Sequence, residues 1–316
     1  MDISIIIPSY NEKESLPELT SWIDRVMKKN NYSYEIIVVD DGSTDGSWRK
    51  LEELAAENSN IHGIRFRRNY GKSAALYCGF EKAQGEVVFT MDADLQDSPD
   101  ERPEMYRMIK EEDYDLVSGW KKHRKDNALT KNLPSKLYNA TARRITGIKL
   151  HDMNCGLKAY KKEVVKSIEV YGEMHRYIPY LAKNAGYTRI GEKPVHHEKR
   201  KYGKSKFGAS RFINGFLDLL SLWFLSTFSK KPMHFFGYSG LFMFFVGFVM
   251  TVWIIATKLI NQAQGIKFRA VTDQPLFYLA LVAVILGVLL FLSGLLGEMI
   301  SRSSGERNRY NIKSEF

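Results

Sequence analysis

Cysteine is nearly absent: Cys78 and Cys155 are the only two in 316 residues. That excludes a disulfide framework and suits a reducing compartment. No Gly-x-Gly occurs anywhere, which removes the glycine fingerprint of dinucleotide-binding folds. Gly71-Lys72-Ser73 and Gly203-Lys204-Ser205 end like phosphate-binding loops. The earlier glycine that a P-loop requires is replaced by Phe66 and Glu198, so both fail. Histidine and cysteine never group at zinc-ligand spacing, and His196-His197 reads as a solvated pair. There is no internal repeat and no low-complexity stretch. The N-terminus opens directly into MDISIIIPSY, so the apolar runs further along do not read as signal peptides.

Charge is plentiful but unevenly placed. Lys+Arg number 46 against 36 Asp+Glu, a net +10. Such an excess points to an anionic partner: nucleic acid, a phosphorylated substrate or an anionic membrane surface. Residues 233–257 and 275–297 contain no Asp, Glu, Lys or Arg at all. A run of about 20 apolar residues crosses a bilayer core, so both read as membrane spans. Lys230 and Lys231 precede the first, and Arg302, Arg307, Arg309 and Lys313 follow the second. The connection 258–274 carries only Lys258, Lys267 and Arg269 against Asp273. The positive-inside rule then predicts an inner-membrane protein with its N-terminal part and its 301–316 tail in the cytoplasm. Residues 208–231 are apolar but interrupted by Arg211, Asn214 and Asp218. They read as an interfacial helix with Trp223 toward the acyl chains, a third span being the alternative. Gly237, Gly240 and Gly247 are small contact sites through which the spans could self-associate into a homo-oligomer.

The N-terminal 1–207 alternates strand and helix patterns. Residues 3–7, 35–39, 61–66 and 86–91 are short apolar runs rich in β-branched residues; 13–29, 47–58 and 72–83 have helical spacing. This order predicts an α/β fold, a Rossmann-like, mostly parallel sheet with helices on both faces. Ligands in such sheets sit beyond the carboxyl ends of the strands. The polar clusters 8–12, 40–45 and 92–97 all fall there.

Asp92-Ala93-Asp94 is the sharpest chemical signal. Two carboxylates one residue apart at a strand end can aim at one hard cation, and Gln96 can add a third oxygen. Mg²⁺ or Mn²⁺ bridging to substrate phosphates fits that donor set. A solvated polar turn is the bland alternative, weighed against a second acidic strand end at Asp40-Asp41 and a third at residues 8–12.

Five segments in order, IIIPSYNE (5–12), IIVVDDGSTDGS (36–47), RNYGKSAAL (68–76), FTMDADLQDSP (89–99) and HDMNCGLKAY (151–160), resemble the family 2 glycosyltransferases. Within them the chain is similar to the polyprenyl-phosphate glycosyltransferases, over about residues 2–207. The two-span end resembles the bacterial subgroup acting on undecaprenyl phosphate. The resemblance implies a GT-A fold, a polyprenyl-phosphate acceptor and a nucleotide-sugar donor; the anchor favours UDP-glucose, with mannose, modified sugars and a guanosine carrier as alternatives. It places Pro8, Tyr10, Glu12, Val39 and Asp41 around the base and ribose. Asp92 and Ala93 would meet ribose and phosphate, with the metal on Asp92, Asp94 and Gln96. Arg200, Ser205 and Lys206 match its R-x-x-G-x-S-K segment and imply a phosphate clamp, which a polybasic membrane patch would also resemble. Lys72 and Lys121 are further phosphate contacts. Lys121 stands where some relatives have Arg, so it brings a point charge instead of a fork.

Asp152 aligns with the family's general base. A phosphate monoester has a second pKa of about 6, so its oxygen is already an anionic nucleophile near neutrality. Asp152 then reads instead as a group orienting the acceptor, or as a structural carboxylate for the Cys155-Gly156 turn. Cys155 reads as a buried small residue. A processive polysaccharide synthase would carry Q-x-x-R-W, yet none of the five Trp follows an Arg. A non-catalytic nucleotide-sugar-binding membrane protein is the other alternative. Anionic lipid accounts for the basic surface without nucleic acid.

Overall fold

The computed structural model describes residues 1–122, 133–198, 201–202, 232–266, 269–303 and 312–315. Arg200, Ser205, Lys206 and the segment 208–231 lie outside them. The chain forms two units, one of residues 1–222 with 307–316, the other of residues 223–306.

The first unit is built on one sheet. Its strands are β1 (Ile3–Ser9), β2 (Tyr34–Asp40), β3 (Ile61–Phe66), β4 (Val87–Thr90), β5 (Leu116–Trp120), β6 (Lys158–Lys161), β7 (Ile190–Pro194) and β8 (Ile312–Glu315). The spatial order is β7-β5-β6-β4-β1-β2-β3-β8. β1 pairs in parallel with both β2 and β4, and β2 with β3. β6 runs antiparallel between β4 and β5, and β7 lies parallel to β5. Strand β1 is buried on both faces, as its near-continuous isoleucines require. Ile3, Ile5 and Ile7 meet α1 (Leu16–Lys29), α2 (Ser47–Glu57) and α4 (Arg102–Lys110) on one side. Ile6 meets α3 (Lys72–Lys82), α6 (Lys162–Ser167) and α7 (Ile178–Asn184) on the other. A third cluster, Ala142, Ile148, Leu150, Met153, Tyr177 and Tyr180, joins α5 (Leu133–Thr146) to the loop that follows it.

Helix α1 begins three residues later than its spacing predicts. The Glu12 carbonyl accepts the N–H groups of both Ser15 and Leu16, closing a turn ahead of the helix. Pro17 then occupies the first turn, where its missing N–H costs nothing.

β8 was not legible in the sequence. Residues 312–315 return to the sheet and pair antiparallel with β3, with Glu315 opposite Ile64. Glu315 also ion-pairs with Lys82. The 301–316 segment is therefore more than a basic tail: part of it closes a sheet edge that would otherwise offer unpaired N–H and C=O groups.

The second unit pairs α8 (Pro232–Ala263) with α9 (Pro275–Ser303). Met233–Ala263 and Pro275–Gly297 are long and apolar enough to cross a membrane. Two of the glycines lie where the helices approach most closely. A Cβ on Gly240 would stand 2.6 Å from the Gly287 carbonyl oxygen, and one on Gly247 2.7 Å from that of Ala280. Gly240 and Gly247 thus serve close packing of α8 against α9 within the chain.

Candidate active site

Because β4, β1 and β2 are adjacent and parallel, the segments following them emerge at one edge of the sheet. The first two are stitched together. The Asp41 N–H donates to the Ser9 carbonyl at 2.8 Å, and the Asn11 N–H to Ser43 Oγ at 2.9 Å. Asn11 Oδ1 accepts the Thr44 N–H at 2.9 Å, and Ser47 Oγ accepts the Glu12 N–H at 3.0 Å. Pro8, Tyr10 and Glu12 are half-buried along this seam. Val39 differs: its side chain is fully buried in the core on the α3 face, so the strand end presents its backbone. The Asp41 carboxylate accepts the N–H groups of Tyr70 at 2.6 Å and Gly71 at 2.9 Å, just ahead of α3. Burial pushes this carboxyl up, and the two N–H groups offset part of the rise.

Asp92 leaves the end of β4 and is held from two sides. Lys72, the first residue of α3, ion-pairs with its Oδ1; both side chains are about one-third exposed. On the other side lies Gly156, where a Cβ would stand 2.5 Å from Asp92 Oδ2. Thr90 Oγ1 donates to the Gly156 carbonyl at 3.0 Å, locking the 152–157 loop onto the strand. Ala93 and Asp94 are buried, and Asp94 Oδ1 accepts the Gln96 N–H at 3.3 Å. Between them Leu95 adopts φ 58, a left-handed conformation that costs a non-glycine residue about 1–3 kcal/mol. Strain of this kind collects where a loop must present side chains in one direction.

The loop is anchored below by charge. Asp97 is completely buried and ion-paired with Lys121 Nζ at 2.7 Å, with His197 Nδ1 at 3.9 Å. Burial alone would raise the Asp97 pKa, but the Lys121 and His197 charges overcome it and hold the carboxyl well below the usual range. Lys121, expected on a phosphate, thus has its ammonium on Asp97. His197 is buried and bridges backbone to backbone with Asp97, which corrects its reading as solvated. The Glu198 N–H continues that bridge to the Gln96 carbonyl at 2.9 Å.

Asp152 is buried 58 residues beyond Asp94 in the chain, in the loop that Gly156 presses onto Asp92. Its Oδ1 accepts the Asn154 N–H at 3.1 Å. Cys155 is buried, and burial pushes its thiol up to about 12, which makes it a poor nucleophile.

Three further residues join this region without a sequence signal of their own. Gly156 supplies the space for Asp92. Lys158 is buried on β6, its ammonium donating to the Cys155 carbonyl. Burial lowers its pKa, while Asp152 and Asp92 pull the other way. His175 shares a hydrogen bond between its Nδ1 and Ser73 Oγ at 3.1 Å. Burial and the charges of Lys72, Arg176 and Lys158 keep it well below its ordinary pKa and hence neutral. Lys158 shows only the alternation of a short strand, and His175 becomes visible only when α3 is packed beside it.

The donor chemistry suits a hard divalent cation. Among the described residues no three His, Cys, Asp or Glu side chains converge into a closed metal cage. Two carboxylates and an amide at an open strand end instead match a cation that fills its remaining positions with phosphate oxygens and water.

A mostly parallel, helix-covered sheet with a D-x-D element at the end of its central β4 defines a sugar-nucleotide-type glycosyltransferase. The chain belongs to glycosyl transferase family 2, whose model matches residues 4–169. It is 34% identical over 305 residues, 96% of this chain and 88% of the relative, to a dodecaprenyl-phosphate galacturonate synthase of Rhizobium johnstonii. It is 36% identical over 316 residues, 98% and 91%, to an undecaprenyl-phosphate 4-deoxy-4-formamido-L-arabinose transferase of Shewanella sediminis. The fold is that of Mycobacterium tuberculosis glucosyl-3-phosphoglycerate synthase, solved with Mn²⁺, UDP and glucosyl-3-phosphoglycerate. That match has TM-score 0.52 at 20% identity, covering 70% of this chain and 80% of that one. A mannosyltransferase of Pyrobaculum calidifontis, solved with GDP-mannose and Mn²⁺, aligns over 96% of this chain and 76% of that one, with TM-score 0.51 at 18% identity.

Proposed function

We propose that this glycosyltransferase moves a sugar from a nucleotide-sugar to a polyprenyl phosphate at the cytoplasmic face of the inner membrane, with inversion at the anomeric carbon. The observation that carries the reading is the junction of Lys72, Asp92 and Gly156. It joins the D-x-D strand end to the Asp152 loop, in a chain that also holds two apolar helices. The relatives named for dodecaprenyl and undecaprenyl phosphate support the acceptor. They are named for galacturonate and a formamido-arabinose, so the donor class is wider than UDP-glucose.

An acceptor phosphate oxygen attacks the anomeric carbon; the bond from that carbon to the diphosphate breaks, and nucleoside diphosphate leaves. Pro8, Tyr10, Glu12 and Asp41, with the Val39 backbone, frame the nucleoside. Asp92 and Ala93 face ribose and phosphate. Asp94, Gln96 and Asp92 would hold Mg²⁺ or Mn²⁺, which when bound supplies charge compensation for the departing diphosphate. Lys72 holds Asp92 in place and lends positive charge beside the same phosphates. Arg200, Ser205 and Lys206 contact donor or acceptor phosphates. Asp152 orients the acceptor; holding both substrates in line supplies the main acceleration.

β1 and β8 lie in one sheet, so the chain between them crosses a bilayer an even number of times. Helices α8 and α9 provide two crossings.

The test is transfer in detergent from a panel of labelled nucleotide-linked glucose, galacturonate and 4-deoxy-4-formamido-arabinose to undecaprenyl phosphate, with Mn²⁺, with Mg²⁺ and with EDTA. A labelled lipid from one donor, lost with EDTA and in Asp94→Ala, is expected. Transfer that survives both changes would refute the metal role, and labelled lipid from no donor would refute the acceptor.

A further inference from the structure

The Asp152 loop is held by a carboxylate that lies 40 residues further along the chain, on β7. Glu192 Oε1 accepts the backbone N–H of His151 at 2.7 Å and that of Asp152 at 3.1 Å. Its other oxygen, Oε2, meets His151 Nδ1 at 2.7 Å. A carboxylate has no proton to give, so Nδ1 carries the hydrogen. Three bonds to one carboxylate fix two successive peptide groups and one ring. The ring is then fixed again from its face: His151 stacks on Trp120 with centroids 4.3 Å apart and planes 17° apart. Trp120 ends β5, paired with Pro194 at the end of β7, so clamp and platform share one rigid pair of strands.

The other ties on this loop act on its flanks. Arg143 reaches the Leu150 carbonyl at 3.4 Å, and Asn139 accepts the Met153 N–H at 3.3 Å. Both are long bonds from α5. Glu192 accepts the Asp152 N–H itself, and its side chain is 11% exposed. A largely buried carboxylate is costly unless its oxygens are satisfied. Here the satisfying donors are the His151 N–H, the His151 ring and the N–H of Asp152, the residue aligned with the reaction.

We infer that Glu192 is the positioning residue for Asp152: it sets that backbone, and through it the direction in which the Asp152 carboxylate meets the acceptor. In this role Glu192 acts through the peptide groups of residues 151 and 152. This rests on the reading of Asp152 as the acceptor-orienting group of the proposed transfer. A carboxylate displaced by about 1 Å costs up to about a hundredfold in rate.

The experiment measures transfer kinetics for wild type, Glu192→Gln, Glu192→Ala and Glu192→Met, the last three also in an Asp152→Ala background. Gln keeps one oxygen that accepts both N–H groups. Met keeps the length and volume without an acceptor, and serves if Ala does not fold. Ala and Met are expected to lower kcat roughly ten- to a hundredfold, with the KM for donor within about twofold and most of the rate restored in Gln. With Asp152 already removed, the same changes add nothing, since residues acting as one unit are not additive. A merely structural role would slow both backgrounds alike, and that result overturns the inference. So does an active wild type whose Met variant turns over at the same speed. A wild type with no transfer at all removes the proposed function and this inference with it.

Discussion

Replacing Gly156 by alanine adds one methyl group at the most crowded point of the site. The new Cβ would lie 2.5 Å from Asp92 Oδ2, 2.8 Å from its Cγ and 3.0 Å from its Oδ1. Ordinary contact begins near 3.4 Å, so the carboxylate must withdraw by about 0.9 Å, the difference between 3.4 and 2.5. Gly156 is not among the residues with positive φ, so the change adds crowding without backbone strain. Withdrawal would pull Asp92 from Lys72 or tilt it from the cation position. A misplacement near 1 Å is worth about a hundredfold in rate, and overpacking costs about 1–3 kcal/mol of stability. Steady-state transfer should therefore show kcat/KM down about a hundredfold, with the Mn²⁺ midpoint for activation raised and the thermal midpoint lowered by a few degrees. A Gly156→Ala enzyme that is folded and works within about threefold of wild type would refute the argument that Asp92 and the Asp152 loop are locked together.

Other outcomes follow from the same geometry. Lys121→Met takes the nearest cation from buried Asp97 and leaves only His197 Nδ1 at 3.9 Å, which should cost about 3–5 kcal/mol in a denaturant titration. Because the folded-state pKa of Asp97 is depressed, its stabilising contribution is complete above the unfolded value of about 3.9 and is lost as pH falls through the folded value. Acid unfolding of the wild type should accordingly steepen only below about pH 4, and Lys121→Met should unfold at higher pH. Ending the chain after residue 311 removes β8, so hydrogen exchange should accelerate at β3 amides, and unchanged exchange there would count against the pairing. Gly287→Val places a side chain 2.6 Å from the Phe244 nitrogen, and should lower the thermal midpoint of the detergent-solubilised protein without moving nucleotide affinity.

Much of this was legible because it is local. Continuous isoleucine and valine runs ended by Pro8, Asp40 and Asp92 mark buried parallel strands and the ends where ligands sit. The long uncharged runs mark α8 and α9 with equal clarity. What escaped reading depends on contact across the fold. His197 has a solvated neighbour in sequence and a buried carboxylate in space. Glu192 looks like an alternating surface residue of a short strand until β7 brings it beneath the Asp152 peptide. Gly240 and Gly247 are small for a partner 47 and 33 residues away, respectively Gly287 and Ala280, which no single-helix pattern can announce. β8 is four residues with one isoleucine, and only the open edge of β3 gives it a place.

That last strand has a consequence for how the protein is made. β3 is synthesised by residue 66, but its outer partner begins at residue 312, after both apolar helices have left the ribosome. The sheet therefore waits, one edge bare, through the whole time in which the hairpin is delivered to lipid. Completion of the enzyme fold is a late event, timed by translation of the residues that follow α9. Any delay in handing over α8 and α9 lengthens the interval in which that bare edge can be claimed by another nascent chain.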